Sequence, residues 1–439
     1  MKPSSHWASL ACSCAGYALL ASLSVIPIGG AAPAQEARGA PAGGTVKAVV
    51  DAHIAAGDMP NAAVAYGWRG GPTTVVAAGR TTQRPDSPLV DGDTIFRINS
   101  ITKVFTGLAA IIAIEEGKLK LDQPISDFFP GYANMRILTS PETSLDSRPA
   151  HTQITVRHLL THTSGLGYFT NTKGPYKQAI IDAGLVPSQY NRTIEAQTRP
   201  TRPSSVKAFA EKAATLPLQF EPGTQWKYSE GLDVLVAVIE RAGGMPYEEY
   251  LATRLLNPLK MNSTGFQVSA TDAKRLATSW ERENGALVVE DDAEVSVFLD
   301  RPSFPYGGSG MVSTVNDLDR LMRMIQGGGI LDGVRVMKPG SIALATSNLL
   351  PPGAVYPPGG ANPIGDDPVS GFGAGGSVLL RGNADYGPGT YGWAGGMGPR
   401  LSVDPNGTRV VLLLNFRPSV KTTLRRDVLN AAAQETRAR

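Results

Sequence analysis

The chain has 439 residues, of which 42% are hydrophobic and 18% charged, a balance typical of a well-buried globular protein. It has 41 Lys and Arg residues and 38 Asp and Glu residues, so the formal net charge is only +3. Such a balance excludes the strongly basic surface that nucleic acids and other polyanions require, and the length allows one large domain or two lobes.

The N-terminus has the pattern of an export signal. Lys2 precedes an apolar stretch over residues 7–28, and Ala32-Pro33-Ala34 then offers a small-x-small cleavage site before Gln35. We predict a signal peptide over residues 1–34 and an exported bacterial protein, periplasmic or secreted, that is not held by a membrane after cleavage. A retained membrane anchor, or a lipoprotein signal at Cys12, is the alternative.

The folded domain is predicted over residues 45–439, after a small and polar linker over residues 35–44. Both cysteines, Cys12 and Cys14, lie in the signal segment, so the mature chain would have no disulfide, thiol nucleophile or cysteine metal site. A helix is predicted from about Thr45. Two apolar segments, 61–67 and 73–79, flank a glycine- and proline-containing turn and predict a β-hairpin.

The next segment contains a candidate nucleophile, Ser100, with Lys103 three residues later at the head of an almost uncharged helix. A serine hydroxyl is a weak nucleophile near neutral pH and needs a neighbouring group to take its proton. Three residues advance a helix by about 300°, which brings the two side chains together on one face. A burial of Lys103 would disfavour its ammonium form, as a general base requires. The same pattern also arises by chance, because serine is a common helix cap.

A second copy of the pattern, Ser204-Ser205-Val206-Lys207, is better explained as a helix cap. It opens a charged, amphipathic helix whose lysines are expected to face water. We therefore predict that Ser204 or Ser205 caps this helix and takes no part in chemistry.

Helical periodicity dominates residues 123–292, whereas strands return near residues 377, 400 and 408 before a closing helix. Strands at both ends around a helical middle predict an α+β fold, an antiparallel sheet flanked by helices with a mostly helical inserted lobe. We place the α/β lobe at about residues 45–122 and 293–439, and the helical lobe at about residues 123–292.

Two further motifs resemble ligand sites but are not predicted to bind a ligand. The glycine-rich run 371–376 matches a dinucleotide-binding pattern but leads into a strand, where such a site needs a helix. His158 and His162 have the i, i+4 spacing of a zinc site, yet Leu159 stands where glutamate would be needed, so both are predicted to pack a helix. We predict no metal and no cofactor.

The order of segments resembles the serine β-lactamase and penicillin-binding protein superfamily, and within it the class C-like family VIII carboxylesterases. The resemblance covers about residues 46–416. It rests on the segments around Ser100 and Lys103, on the run from Ile154 to Leu166, on the aromatic segment that contains Tyr228, and on segments 308–314 and 391–405.

This resemblance implies a β-lactamase-like fold and a set of roles. Ser100 would be acylated, and Lys103 and Tyr228 would share its activation. Trp393-Ala394-Gly395 would stand in place of the K-T-G triad. The backbone N–H groups of Ser100 and Gly396 would form the oxyanion hole, with Trp393 and Gly395 beside the substrate.

Two departures favour esters over β-lactams. Class C β-lactamases have asparagine two residues after the tyrosine, where this chain has Glu230, and lysine where it has Trp393. An aromatic wall suits an uncharged acyl or alkoxy group better than a carboxylate. Glu230 could repel acidic substrates or point away from the nucleophile.

The sequence thus predicts a serine hydrolase, a carboxylesterase of short-chain esters that works through an acyl-enzyme. The alternatives are a β-lactamase or D-amino-acid peptidase, with weak β-lactam turnover as a side activity, and a non-catalytic cell-wall-binding relative. The partner is a small ester or amide and not a nucleic acid. We expect segments 168–205 and 351–371 to border the pocket, because long irregular segments often do.

Overall fold

A computed structural model describes residues 44–187, 189–283, 286–357, 369–416 and 423–438. The predicted signal peptide, both cysteines and nearly all of the predicted linker lie outside these ranges, so their predictions stay predictions. Within the described ranges, no helix combines the length and the apolar character needed to cross a membrane.

The described α-helices accompany the strands at both ends of the chain and are frequent in its middle. They are α1 Val46–Ala55, α2 Thr102–Glu115, α3 Val156–Leu160, α4 Gly174–Asp182, α5 Arg192–Thr198, α6 Val206–Ala213, α7 Gly231–Gly243, α8 Tyr247–Leu251, α9 Val315–Gln326, α10 Pro339–Ala345 and α11 Leu424–Arg437.

The described strands form one large sheet and four two-stranded ribbons. They are β1 Asn61–Trp68, β2 Thr74–Gly79, β3 Phe96–Arg97, β4 Arg136–Leu138, β5 Ser147–Pro149, β6 Ser279–Glu283, β7 Ala286–Asp291, β8 Val312–Ser313, β9 Ile330–Leu331, β10 Val334–Arg335, β11 Ser370–Phe372, β12 Ser377–Leu379, β13 Tyr391–Ala394, β14 Arg400–Val403 and β15 Thr408–Leu413.

The large sheet has seven strands in the order β11-β12-β13-β14-β15-β1-β2, and every neighbouring pair is antiparallel. The predicted hairpin is its β1-β2 edge. The C-terminal strand β15 pairs with β1, with Val411 opposite Ala65, so the two ends of the chain close one sheet. The predicted antiparallel α+β architecture is therefore confirmed.

Alternate residues of the sheet face two different hydrophobic cores, as the period of two in a strand requires. Val64 and Leu412 face the core formed with α1 and α11. Ala65, Val411 and Trp393 face the larger core, which contains α2, α7 and α9. Ser100 precedes α2 and therefore lies on the side of the sheet that faces this larger core.

The middle of the chain is less uniformly helical than predicted. The ribbon β4-β5 precedes α3, and the ribbon β6-β7 follows α8. These strands are short or exposed along much of their length, which hides the alternation of apolar and polar residues that would reveal them. The boundaries of the two predicted lobes stay a prediction.

Candidate active site

Ser100 lies at the entrance to α2. The short strand β3 pairs with β8 and leads into a 3₁₀ turn, Asn99–Ile101, from which α2 continues directly. Lys103 comes one turn after Ser100, and its Nζ donates a hydrogen bond to Ser100 Oγ at 3.3 Å. Lys103 has no exposed surface. The local spacing that the sequence predicted therefore does bring hydroxyl and amine together.

Two further contacts hold Lys103 in place. Its Nζ donates to the carbonyl oxygen of Gly308 at 2.6 Å, and it lies 4.5 Å from the centre of the Tyr228 ring. A cation over the face of an aromatic ring is attracted by the ring quadrupole, and more strongly where water is excluded. The amine is thus held by a carbonyl, a hydroxyl and a ring face.

Tyr228 completes the contacts of the serine. Its hydroxyl lies 2.9 Å from Ser100 Oγ, closer than the lysine amine. Asn171 fixes the backbone of this residue by donating to the Tyr228 carbonyl oxygen at 2.8 Å. The structure therefore places all three predicted catalytic side chains within hydrogen-bond reach of one another through Ser100 Oγ.

An aromatic cluster surrounds the Tyr228 ring. The Trp393 ring stacks parallel to it, with centroids 6.0 Å apart and planes at 16°, and Trp393 is only 1% exposed. Phe372 meets Trp393 edge-on at 5.2 Å. Trp226 lies 6.2 Å from Tyr228 and 4.8 Å from Tyr356. Trp393 thus supports the tyrosine directly.

His162 is a member of this cluster that the sequence analysis missed. The helix α3 ends at Leu160, so the prediction that His162 packs a helix together with His158 is wrong. His162 has a φ of 56°, and its ring lies 4.4 Å from the Tyr228 ring. Its Nδ1 accepts the N–H of Ser229 at 3.2 Å, and burial lowers the pKa of His162 well below its ordinary value. A neutral imidazole therefore supports the tyrosine ring.

The turn after β13 packs against the residue that precedes Ser100. The N–H of Met397 donates to Asn99 Oδ1 at 3.3 Å, and a Cβ on Gly395 would stand 2.8 Å from the Ile98 carbonyl oxygen. Only glycine fits this close approach of two backbones. Among the turns and loops of the described ranges, neither the Ser100 N–H nor the Gly396 N–H donates to a backbone carbonyl.

Glu230 is almost completely buried. Its Oε2 is buried and has no hydrogen-bond partner. Its charge acts on the phenols of Tyr132 and Tyr176, which belong to the helical part of the chain. Burial, with a contribution from the neighbouring Asp233, raises the pKa of Glu230 well above its ordinary value. Burial therefore disfavours the charged form of this carboxyl.

Both predicted border segments contribute residues near Tyr228. Tyr168 meets the Tyr228 ring edge-on at 5.6 Å, and the segment that follows contains α4 and α5, so it is less irregular than predicted. Tyr356 belongs to the aromatic cluster. Residues 358–368, the larger part of the second segment, lie outside the described ranges.

The remaining motifs do not form a nucleotide or metal site. The glycine-rich run 371–376 covers the end of β11, including Phe372, and the turn into β12, with no helix after it. In the part of the chain that the structure describes, no three His, Cys, Asp or Glu side chains form a group that could hold a metal ion.

Comparison with known proteins places this geometry in a family. A family model described as Beta-lactamase matches residues 46–435. Protein Rv1367c of Mycobacterium tuberculosis is 33% identical over 337 residues, which are 73% of this chain and 77% of the relative. Lovastatin esterase of Penicillium rubens is 30% identical over 70% of this chain and 75% of its own. Esterase EstB of Burkholderia gladioli is 31% identical over 53% of this chain and 57% of its own.

A solved structure agrees with these relatives. EstCE1, described as a hydrolase with promiscuous acyltransferase activity, superposes with a TM-score of 0.70 at 25% identity, over 88% of this chain and 97% of its own. The β-lactamase-like fold predicted from the sequence is therefore confirmed.

Proposed function

This chain belongs to the Beta-lactamase family, a serine hydrolase family with esterase members, and we propose that it is a carboxylesterase acting on short-chain esters through an acyl-enzyme on Ser100. The observation that carries the proposal is the position of Ser100 Oγ, 2.9 Å from the Tyr228 hydroxyl and 3.3 Å from Lys103 Nζ. A nucleophile within hydrogen-bond reach of a base that is itself held in place is the arrangement that covalent catalysis requires.

In the proposed reaction, Ser100 Oγ bonds to the ester carbonyl carbon while the Tyr228 and Lys103 pair takes the hydroxyl proton. The negative charge moves to the carbonyl oxygen, which the N–H groups of Ser100 and Gly396 bind. The proton passes to the departing alkoxide, and an alcohol leaves. Water then attacks the acyl-enzyme by the same proton path and releases the acid.

The surroundings of Tyr228 favour an ester over a β-lactam. Trp393, buried and stacked on Tyr228, presents no cation to a substrate carboxylate. Glu230 occupies the position of the class C asparagine, but its carboxyl is buried, and burial raises its pKa well above the ordinary value. The esterase names of two relatives and the hydrolase description of EstCE1 support the same choice.

An activity panel tests the proposal. The purified protein is assayed with p-nitrophenyl acetate, p-nitrophenyl butyrate, nitrocefin and D-Ala-D-Ala peptides, each with and without EDTA. We expect the highest kcat/KM on the two esters, no loss with EDTA, and no ester hydrolysis by Ser100→Ala. If nitrocefin is the best substrate, the protein is a β-lactamase; if the D-Ala-D-Ala peptide is, it is a peptidase. A wild-type protein inactive on all of these substrates would favour a non-catalytic binding role.

We also propose that the protein is exported. The support is the sequence of residues 1–34 alone, with its cleavage site after Ala34. N-terminal sequencing of the protein from a periplasmic or culture-medium fraction should begin at Gln35. An intact Met1 on cytoplasmic protein would contradict export.

A further inference from the structure

Arg400 is a buried arginine without a carboxylate beside it in the described ranges. It is the first residue of β14 and is only 5% exposed. Its Nε and Nη2 are buried and have no hydrogen-bond partner. Because a guanidinium keeps its proton in proteins, this side chain holds a full positive charge away from bulk water. Such a charge is costly unless a counter-ion lies beside it.

The other buried arginines that the structure describes are all paired. Each of them donates to a carboxylate at hydrogen-bond distance: Arg97 Nε to Asp291 at 3.0 Å, Arg202 Nη1 to Glu195 at 2.9 Å, and Arg409 Nε to Asp319 at 2.7 Å. Arg400 therefore departs from the way in which this chain neutralises its buried guanidinium groups.

The surroundings of Arg400 on the sheet are apolar, apart from one hydroxyl. Arg400 stands opposite Leu412 of β15, and residues directly opposite each other share a face of the sheet. Leu412 faces the core formed with α1 and α11, so Arg400 faces it too. Ser402 lies two residues further along β14, on the same face, and its buried Oγ also has no partner. Two hydrogen-bond donors on one face thus lack an acceptor.

The ionisable groups near Arg400 supply no negative charge. Arg425, in the first turn of α11, is a second cation, and together with burial it lowers the pKa of Arg400 well below its ordinary value. Tyr386 and Tyr356 are phenols, and burial raises the pKa of each of them above its ordinary value. A neutral phenol cannot balance the charge of a guanidinium. The balance of charge around Arg400 therefore favours an anion.

Arg425 also connects this region to the turn between β13 and β14. It donates to the carbonyl oxygens of Gly395 and Gly398, both at 3.2 Å. The turn, residues 395–399, leads directly into Arg400. One guanidinium thus follows the turn in the chain, and the other binds the turn from α11. Like charges in a water-poor region repel each other, and an anion between them removes this repulsion.

We propose that Arg400 is the centre of a binding site for one small monovalent anion, chloride, on the face of the sheet that packs against α11. The Arg400 guanidinium donates to the ion, Ser402 Oγ is a second donor on the same face, and Arg425 adds positive charge. Because so little of Arg400 is accessible, a monatomic ion fits better than sulfate or phosphate. The site goes beyond the proposed esterase function and does not depend on it.

Chloride-dependent stability tests the proposal. The Tm of the wild-type protein is measured between about 1 mM and about 300 mM chloride, with sodium gluconate holding the ionic strength constant. A ligand that binds only the folded state stabilises it increasingly as its concentration rises. The wild-type Tm should therefore rise by about 2 °C over this range.

Two variants of buried arginines separate a specific site from a general salt effect. Arg400→Met removes the charge and keeps an apolar chain, so its Tm at low chloride should be no lower than that of the wild type, and it should not depend on chloride. Arg409→Met is the matched control on the neighbouring strand. It leaves Asp319 unpaired, so its Tm should be lower at every concentration, with the wild-type response to chloride.

Bromide diffraction gives a second measurement, which needs no variant. In a crystal of the wild-type protein grown with bromide in place of chloride, an anomalous peak should lie within hydrogen-bond distance of the Arg400 guanidinium. The inference is overturned by the absence of this peak, by a wild-type Tm that does not respond to chloride, or by an unchanged response in Arg400→Met.

A carboxylate of the chain itself is the competing occupant. Asp366 and Asp367 lie outside the described ranges. If the wild type does not respond to chloride but the double variant Asp366→Asn, Asp367→Asn does, one of these carboxylates is the counter-ion and the inference is overturned. None of these readouts uses ester hydrolysis, so a failure of the esterase function leaves them unchanged.

Discussion

The chain contains the pattern Ser-x-x-Lys twice near the start of a helix, and the two copies have opposite surroundings. Lys103 is wholly buried and bonded to Ser100 and Gly308. The side chain of Lys207 is 61% exposed and pairs with Glu211 one turn further along α6, at 2.6 Å. Ser205, the N-cap of α6, accepts the N–H of Ala208.

The difference comes from the helix that follows each pattern. Most residues of α2 are apolar and 12 of its 14 are buried, so the lysine at its head is out of water and must bond to groups of the protein. The helix α6 has one buried face, and Lys207 lies on the other, where a solvated ion pair contributes only about 0–1 kcal/mol. The same four-residue pattern therefore gives a reactive pair in one place and a helix cap in the other.

The largest expected effect is that of Ser100→Ala. It removes the atom that is acylated, so kcat/KM for p-nitrophenyl butyrate should fall by at least about 10⁴-fold. Ser204→Ala, at the position of the second copy that corresponds to Ser100, is the matched control and should hydrolyse the ester at the wild-type rate. Equal losses of kcat/KM in the two variants would contradict the claim that only the copy at Ser100 is catalytic.

We expect the second-largest effect from Lys103→Met. Methionine fills the buried space but cannot donate to Ser100 Oγ or exchange a proton, so kcat should fall by about 10³-fold. Lys207→Met makes the same substitution on the exposed face of α6. Its kcat should stay within twofold of the wild type, a change of at most about 0.4 kcal/mol in the activation free energy. A wild-type rate in Lys103→Met, measured on folded protein, would contradict the role of the buried amine.

Tyr228→Phe isolates the hydroxyl. Phenylalanine preserves the stacking on Trp393 and His162 but loses the contact of 2.9 Å with Ser100 Oγ. We expect kcat to fall by about 10²–10³-fold with an unchanged Tm, because the ring carries the packing and the hydroxyl the proton transfer. The paired readouts are steady-state kinetics and thermal melting, and a fall in Tm alone would assign Tyr228 to packing.

Ser205→Ala has the smallest expected effect, and it is confined to stability. Loss of an N-cap side chain costs about 1 kcal/mol, so denaturant unfolding should show a free energy of unfolding lower by that amount. The same alanine at Ser100 should change this free energy less, because Ser100 accepts no backbone N–H as a cap does. A reversal of the two stabilities would contradict the assigned roles.

Local patterns in the sequence were sufficient for much of the fold. The β1-β2 hairpin, the helix α2 and the cap at Ser205 follow from periodicity and turn chemistry. Gly117, shortly after the last residue of α2, has a φ of 72°, a conformation that glycine adopts readily. The strands β3 and β8 have two residues each, which is too short for a period to be visible, although they hold the turn that carries Ser100.

The site was only partly predictable, for a physical reason. Ser100 and Lys103 share one turn, so their spacing shows in the sequence. Tyr228 was placed by resemblance to a family and not by any local pattern. His162 packs against Tyr228, a residue far away in the chain, and no local spacing reveals such a contact.

A covalent probe tests the central claim most directly. A p-nitrophenyl alkylphosphonate is attacked by an activated serine, which loses its proton, bonds to phosphorus and releases p-nitrophenolate. Intact-mass and peptide-mass spectrometry should find one phosphonate per chain, on the peptide that contains Ser100, and none on the peptide that contains Ser205. Label on Ser205, or no label on a folded protein that hydrolyses esters, would contradict the assignment of Ser100 as the nucleophile.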